Sequence, residues 1–423
     1  MRREPANAAI GDRMPVQYMG VAGIVAILLI AVVFSTNRKA IRLRVVAAAF
    51  ALQAVMAVIV LSLPAGRAVL SAMSGGVQAV INYSAAGIAM VFGPLADVDK
   101  IGFSFAINVL PIIIFFSALM SVLYHVGVMQ KIVAWAGGAL RFVIGTGKVE
   151  SLVAAANVFL GQTEAPLVVK PYIRGLTMPQ LFTVMTTGMA SVSGSVLAAY
   201  AQMGISIEYL LAACFMSAPG GLLMAKLIMP DDKVEPGAPQ DVVVVDETEE
   251  PHSNVIMAAA VGAQDGLKLA VSIAAMLIAF VSLIALVNGI LGAVGGAAGV
   301  EGLTMQRILG FLFAPVMFLL NIPWAEAQAA GGIFGEKLVL NEFVAFASLG
   351  QAQEALSPRT VAILTFALCG FANISSIAIQ LGALGTLAPE RMPQIAKYGF
   401  HVVLAGSLSN LMSAALAGLI IQP

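Results

Sequence analysis

Along the 423-residue chain, long apolar runs alternate with short polar interruptions. Val21–Phe34, Val45–Leu63, Val109–Leu123 and Leu277–Leu291 carry no charged residue. With their flanks, each nears or exceeds the ~18–20 residues that cross hydrocarbon as a helix. Read on in this way, the pattern predicts spans near 18–36, 45–65, 102–126, 180–200, 206–229, 270–293, 358–386 and 398–421. Two stretches depart from it. Between Arg67 and Lys100, Gly, Ala and Ser mix with scattered polar residues, which predicts an amphipathic helix along the interface. Pro230–Ser253 collects Asp231, Asp232, Lys233, Glu235 and five further acidic residues, and reads as a solvated linker.

The pattern also repeats. Met129-Gln130-Lys131-Ile132 recurs as Met305-Gln306-Arg307-Ile308, and Gln162-Thr163-Glu164 sits where Leu340-Asn341-Glu342 sits, an offset of 342 − 164 = 178. Gly188-Met-Ala-Ser-Val-Ser193 matches Gly370-Phe-Ala-Asn-Ile-Ser375 at 370 − 188 = 182. Each unit reads as a span, an amphipathic segment, an interrupted hairpin, an interrupted span and a final span. With hairpins that dip in and return, the two units run in opposite directions. Inverted repeats with broken apolar segments at matching places mark secondary transporters, whose site lies at the repeat interface near mid-membrane. The expected organisation is therefore 1–100, scaffold helices and an interfacial helix; 101–229, a first repeat with its hairpin at about 149–175; 230–254, the linker; and 255–423, a second repeat with its hairpin at about 325–355.

Candidate chemistry concentrates in the hairpins. Asn157, Gly161, Gln162, Thr163, Glu164 and Pro166 fall inside an otherwise apolar segment. Gly and Pro free backbone groups there, which hydrocarbon tolerates only where they line a cavity or bind something. A carboxylate at membrane depth costs at least ~2.5–3.5 kcal/mol, so Glu164 and its counterpart Glu342 read as functional. The interrupted spans add Ser191, Ser193, Gly194 and Ser195 in one copy, and Phe371, Asn373, Ser375 and Ser376 in the other. Such polar density unwinds a helix and exposes carbonyl oxygens, the neutral ligands a hard monovalent cation needs. Phe371 offers packing, or a face for a planar ring. Two matched carboxylates also leave open a proton relay or intramembrane acid catalysis, although no HExxH, GxSxG or paired-aspartate pattern accompanies them. Gly145-Thr-Gly-Lys148 lacks the spacing of a phosphate loop.

Composition agrees with the pattern: 60% hydrophobic, 10% charged, mean hydropathy +0.96. A soluble domain carries roughly 25% charged residues. The 22 basic and 22 acidic residues balance, and nothing points to nucleic acid as a partner. Cys214 and Cys369 lie in apolar stretches and read as packing residues. The first apolar run is long and no small-residue cleavage site follows it, so no signal peptide is expected. Arg38, Lys39, Arg42 and Arg44 in the first loop predict that this loop is cytoplasmic and that both termini face out.

Gly161-Gln-Thr-Glu-Ala-Pro166, Asn341-Glu-Phe-Val-Ala-Phe346 and Cys369-Gly-Phe-Ala-Asn-Ile-Ser-Ser376 resemble the signature segments of the concentrative nucleoside transporter family. Ser117–Tyr124, Ser217-Ala-Pro219 and Ala225-Lys226 look like its supporting motifs. The resemblance implies an all-α polytopic protein with eight transmembrane helices, two re-entrant hairpins and inverted repeats, assembled as a homotrimer in the lipid bilayer of a bacterial inner membrane. It implies import of a nucleoside such as uridine by alternating access, with Na+ as coupling ion; a proton-coupled symporter and, from another class, an intramembrane hydrolase are the alternatives. Carried over by motif, Gln162, Thr163 and Glu164 would bond the nucleobase, and Glu342, Asn373 and Ser376 would hold the ribose. Val196 and Phe371 would line the pocket, and Asn157, Leu160, Ser191 and Val192 would supply oxygens to sodium.

Overall fold

A computed structural model describes residues 16–231 and 253–421, and these fold without a strand. Most of the charged linker, including His252, and the first fifteen residues lie outside the described residues. The chain opens with α1 (Val16–Val33) and α2 (Leu43–Leu61). Arg38 between them turns back onto α1, donating from Nε to the Val32 carbonyl at 3.0 Å and from Nη2 to that of Val33 at 2.7 Å. It thereby satisfies carbonyls that a helix end leaves open. α3 (Pro64–Phe92) follows, with short turns at Val98–Ile101 and Phe105–Asn108 leading into α4 (Leu110–His125).

The first repeat continues through α5 (Val128–Ile144), α6 (Lys148–Ala156), α7 (Met178–Ala190), α8 (Gly194–Gln202) and α9 (Ile207–Ile228). The second runs through α10 (Val255–Ala297), α11 (Met305–Leu319), α12 (Trp324–Val339), α13 (Glu342–Ala352), α14 (Pro358–Leu368), α15 (Ser375–Leu387) and α16 (Met392–Ile420). In both, a helix packs against the hairpin's first arm: α5 on α6, and α11 on α12. In both, a side chain caps the helix after the hairpin, Thr177 accepting from the Gln180 amide and Ser357 from that of Thr360. These caps differ by 357 − 177 = 180, and the last residues of α7 and α14 by 368 − 190 = 178.

The register through the breaks corrects the sequence match. The first break spans 191–193 and the second 369–374, so Gly188 lies inside α7 while Gly370 lies in a break. The helices restart at 375 − 194 = 181. From tip to cap the second repeat is two residues longer, its helix before the break is two shorter, and its break is three longer, so a loop insertion and the longer break both shift the register.

Among the described residues seven helices are long and apolar enough to cross a membrane, or up to eight if the bent pair α11–α12, at 118°, is one span. This set departs from the predicted spans at two points. The stretch 64–101, expected along the interface, is long and apolar enough to cross, and 358–386 divides into α14 and α15. α10 is also far longer than the predicted 270–293, at 43 residues. Gln264, Asp265 and Lys268 dilute the apolar signal of its first turns, but Asn254 caps it, accepting from the Met257 amide at 2.9 Å.

α7, α9 and α16 form the interior, whereas α2, α3, α4 and α10 leave most of their surface uncovered. α10 crosses α4 on two glycines. A Cβ at Gly262 would lie 2.6 Å from Ser121 Cβ, and one at Gly266 would lie 2.7 Å from Ile114 Cα. Small residues four apart let two backbones approach where no hydrophobic effect drives association. Gly266→Leu is expected to destabilise the protein by about 1–3 kcal/mol, the usual range for overpacking. A lowered midpoint of thermal unfolding in detergent would report it, and an unchanged midpoint would show that the crossing does not need the glycine.

Candidate functional site

Gly161-Gln-Thr-Glu-Ala-Pro166 closes the first hairpin as a tight turn. The Glu164 and Ala165 amides both donate to the Gly161 carbonyl, at 3.1 and 2.9 Å, and the Gly161 amide donates back to the Glu164 carboxylate at 3.4 Å. The turn leaves Thr163 and Glu164 exposed and Gln162 buried. The second tip is built differently. Asn341 is the N-cap of α13, its side chain accepting from the Val344 amide at 2.9 Å, so Glu342 is the first residue of the helix. A carboxylate there sits at the positive end of the helix dipole.

The broken helices carry the two tips together. The Gly194 amide donates to the Phe159 carbonyl at 3.0 Å, tying the first hairpin to the first break, and the Phe371 amide donates to the Ser191 carbonyl at 3.2 Å, tying break to break. Between the tips lies a cavity of about 670 Å³, counting the space at its mouth. Gln162, Thr163, Glu164 and Val196 line it from the first repeat, and Glu342, Phe371, Asn373 and Ser376 from the second. Every predicted substrate-contacting residue therefore faces one space.

A hydrogen-bonded strip crosses that space. Gln162 Nε2 donates to Ser376 Oγ at 3.1 Å, the Ser376 amide to Asn373 Oδ1 at 2.9 Å, and Asn373 Nδ2 to Glu342 Oε2 at 2.9 Å. Gln162 Oε1 is buried without a donor among the described residues. A site of this kind offers acceptors to N–H and O–H groups at two separated ends.

Asn157, Leu160, Ser191 and Val192 do not line the cavity but lie buried behind it, where the first hairpin meets the first break. Asn157 Nδ2 donates to Thr187 Oγ1 at 3.3 Å, while Asn157 Oδ1 is buried with no donor among the described residues. Buried acceptors in native proteins find partners. An amide oxygen beside the last turn of α7 suits a monovalent cation, since that end of a helix carries negative partial charge.

Sequence reasoning missed two features. Tyr200 on α8, wholly buried, donates from its hydroxyl to Glu342 Oε1 at 3.3 Å, with Phe343 and Phe346 against its ring at 4.8 and 4.2 Å between centroids. Its only sequence signal is a hydroxyl in an apolar span. The second is a cavity wall of Leu269, Ile273, Met276 and Leu277 from α10, whose residues 269–297 carry no charge and so mark no face. Tyr200→Phe is expected to weaken binding of a ligand held at Glu342 about five- to tenfold, the roughly 1–1.5 kcal/mol of one hydrogen bond, with the fold retained. Equilibrium binding checks it; unchanged affinity would show that Asn373 alone fixes Glu342.

Comparison with known proteins extends these findings to the whole chain. Residues 22–95 and 209–418 match the N- and C-terminal models described as Na+ dependent nucleoside transporter, and 106–206 match one described as nucleoside recognition. The chain is 47% identical over 411 residues to the nucleoside permease NupC of Helicobacter pylori, covering 95% of this chain and 97% of that one. It is 52% identical to the uncharacterized transporter YutK of Bacillus subtilis, over 95% and 99% of the two chains, and 34% identical to human sodium/nucleoside cotransporter 1, over 97% and 65%. The structure of CNTnw in an inward-facing substrate-bound state is similar at a TM-score of 0.91 and 47% identity, covering 96% of this chain and 98% of that one.

Proposed function

Because the chain belongs to the Na+-dependent concentrative nucleoside transporter family, we propose that it is a secondary active symporter that imports nucleosides with sodium. The family is one of transporters, which disposes of the intramembrane hydrolase. The strip that joins the two hairpin tips across one cavity carries the reading. Gln162, Thr163 and Glu164 take the nucleobase, with Gln162 Oε1 waiting for an N–H donor. Glu342 takes the ribose hydroxyls, supported by Asn373 and Ser376, and Phe371 and Val196 shape the walls. A carboxylate accepts from two hydroxyls at once.

Sodium is held behind the tip by Asn157, Leu160, Ser191 and Val192, and orders the turn that presents Gln162 and Glu164. One sodium crossing ~100 mV supplies ~2.3 kcal/mol. The protein is a homotrimer of the bacterial inner membrane, with the basic first loop in the cytoplasm and both termini outside. Uptake of labelled uridine into proteoliposomes tests the proposal. Concentrative uptake of unchanged uridine with an inward sodium gradient, lost when choline replaces sodium at fixed pH, is expected. Equal uptake in choline driven by an inward proton gradient would reject sodium and make Glu164 or Glu342 the proton site.

A further inference from the structure

Lys337, near the end of the second hairpin's first arm, is fully buried, yet it forms no ion pair among the described residues. Its Nζ donates to the Ala367 carbonyl at 2.8 Å and to Asn410 Oδ1 at 2.7 Å, and it lies 5.9 Å from the Phe334 ring centroid. Ala367 is in the last turn of α14, and the Phe371 amide, which would have been its helical donor, is turned to Ser191. The ammonium thus caps the negative end of a broken helix. Asn410 spreads that charge further: its Nδ2 donates to the Cys369 carbonyl at 2.9 Å and the Ala190 carbonyl at 2.7 Å, one at each break.

The first repeat has the same construction without the lysine. Asn157 and Lys337 both belong to the first arm of their hairpin, and each faces the last turn of the helix that breaks. Where the second repeat places an ammonium, the first leaves Asn157 Oδ1 without a donor. We propose that the Lys337 ammonium is the second repeat's built-in cation, standing where sodium stands in the first. The comparison with sodium rests on the function proposed above; the lysine geometry does not.

Lys337→Ser removes the ammonium and leaves a hydroxyl, the Ala367 carbonyl, Asn410 Oδ1 and space beside them. It is expected to admit a second sodium: thermal unfolding in detergent gains a sodium-dependent stabilisation beyond that of the native protein, as binding to the folded state requires. The Hill coefficient for sodium in uridine uptake rises from about 1 towards about 2, the number of sites being its limit. Lys337→Met fills the space with no cation, so uptake falls at least about tenfold, the scale of one lost helix-end charge or buried donor, and no added sodium response appears. Lys337→Met with uptake within about twofold of native, or Lys337→Ser with the native response to sodium, would overturn the proposal. Lys337→Ser protein recovered in neither sodium nor choline chloride, while Lys337→Arg is recovered, counts against it too. A native protein indifferent to sodium beside a Lys337→Ser variant that responds would instead sink the first-repeat sodium site and leave this inference standing.

Discussion

Glu342→Gln is expected to lower uridine affinity by about 10²–10³-fold, or roughly 3–4 kcal/mol, the cost of breaking a buried, hydrogen-bonded charge. The carboxylate accepts from Tyr200 at one oxygen and from Asn373 at the other, so both donors are already committed to an anion. A glutamine amide keeps the partner of Tyr200 but turns an NH₂ towards Asn373 Nδ2, donor against donor. It also halves the acceptor capacity offered to a ribose diol. Equilibrium binding of uridine to the purified variant measures the loss. Deoxyuridines supply the control: they bind the native protein less well than uridine, whereas Glu342→Gln discriminates little, because groups that interact lose their energies non-additively. Full discrimination retained by the variant would place the sugar elsewhere.

The second large effect concerns the ion. Native protein is expected to bind uridine at least about tenfold more tightly in sodium than in choline, a coupling of about 1.4 kcal/mol that is reciprocal between the ligands. Asn157→Leu should make the two affinities equal. Leucine fills the site of a residue 1% exposed but supplies no oxygen where Asn157 Oδ1 now stands unpartnered. Titrating uridine in each salt measures the coupling directly. A variant that keeps the sodium effect would move the ion away from the first hairpin.

Much of this site was legible because hydrocarbon makes polar residues conspicuous. Glu164 and Glu342 announced themselves by their cost, Gly161 and Pro166 by breaking an apolar run, and Asn373 and Ser376 by their polarity at the break of a span. What stayed hidden has physical reasons. α10 gives the cavity Leu269, Ile273 and Met276 at helical spacing, but its residues 269–297 carry no charge to set one face apart from another. Tyr200 reaches Glu342 from 142 residues away, and Lys337 reaches Asn410 from 73; pairing at such separations follows from packing, which no local pattern encodes. The stretch 64–101 satisfied the predicted amphipathic reading and the length of a span equally, since Gly, Ala and Ser serve both. Gly188 and Gly370 matched as letters, yet one is helical and the other unwound, because the second break is longer.

A structure determined with uridine and sodium would test the central claim most directly. It should show the nucleoside between the hairpin tips, with its base at Gln162 and Glu164 and its sugar at Glu342. A nucleoside bound outside that cavity, or held by one tip alone, would contradict the account.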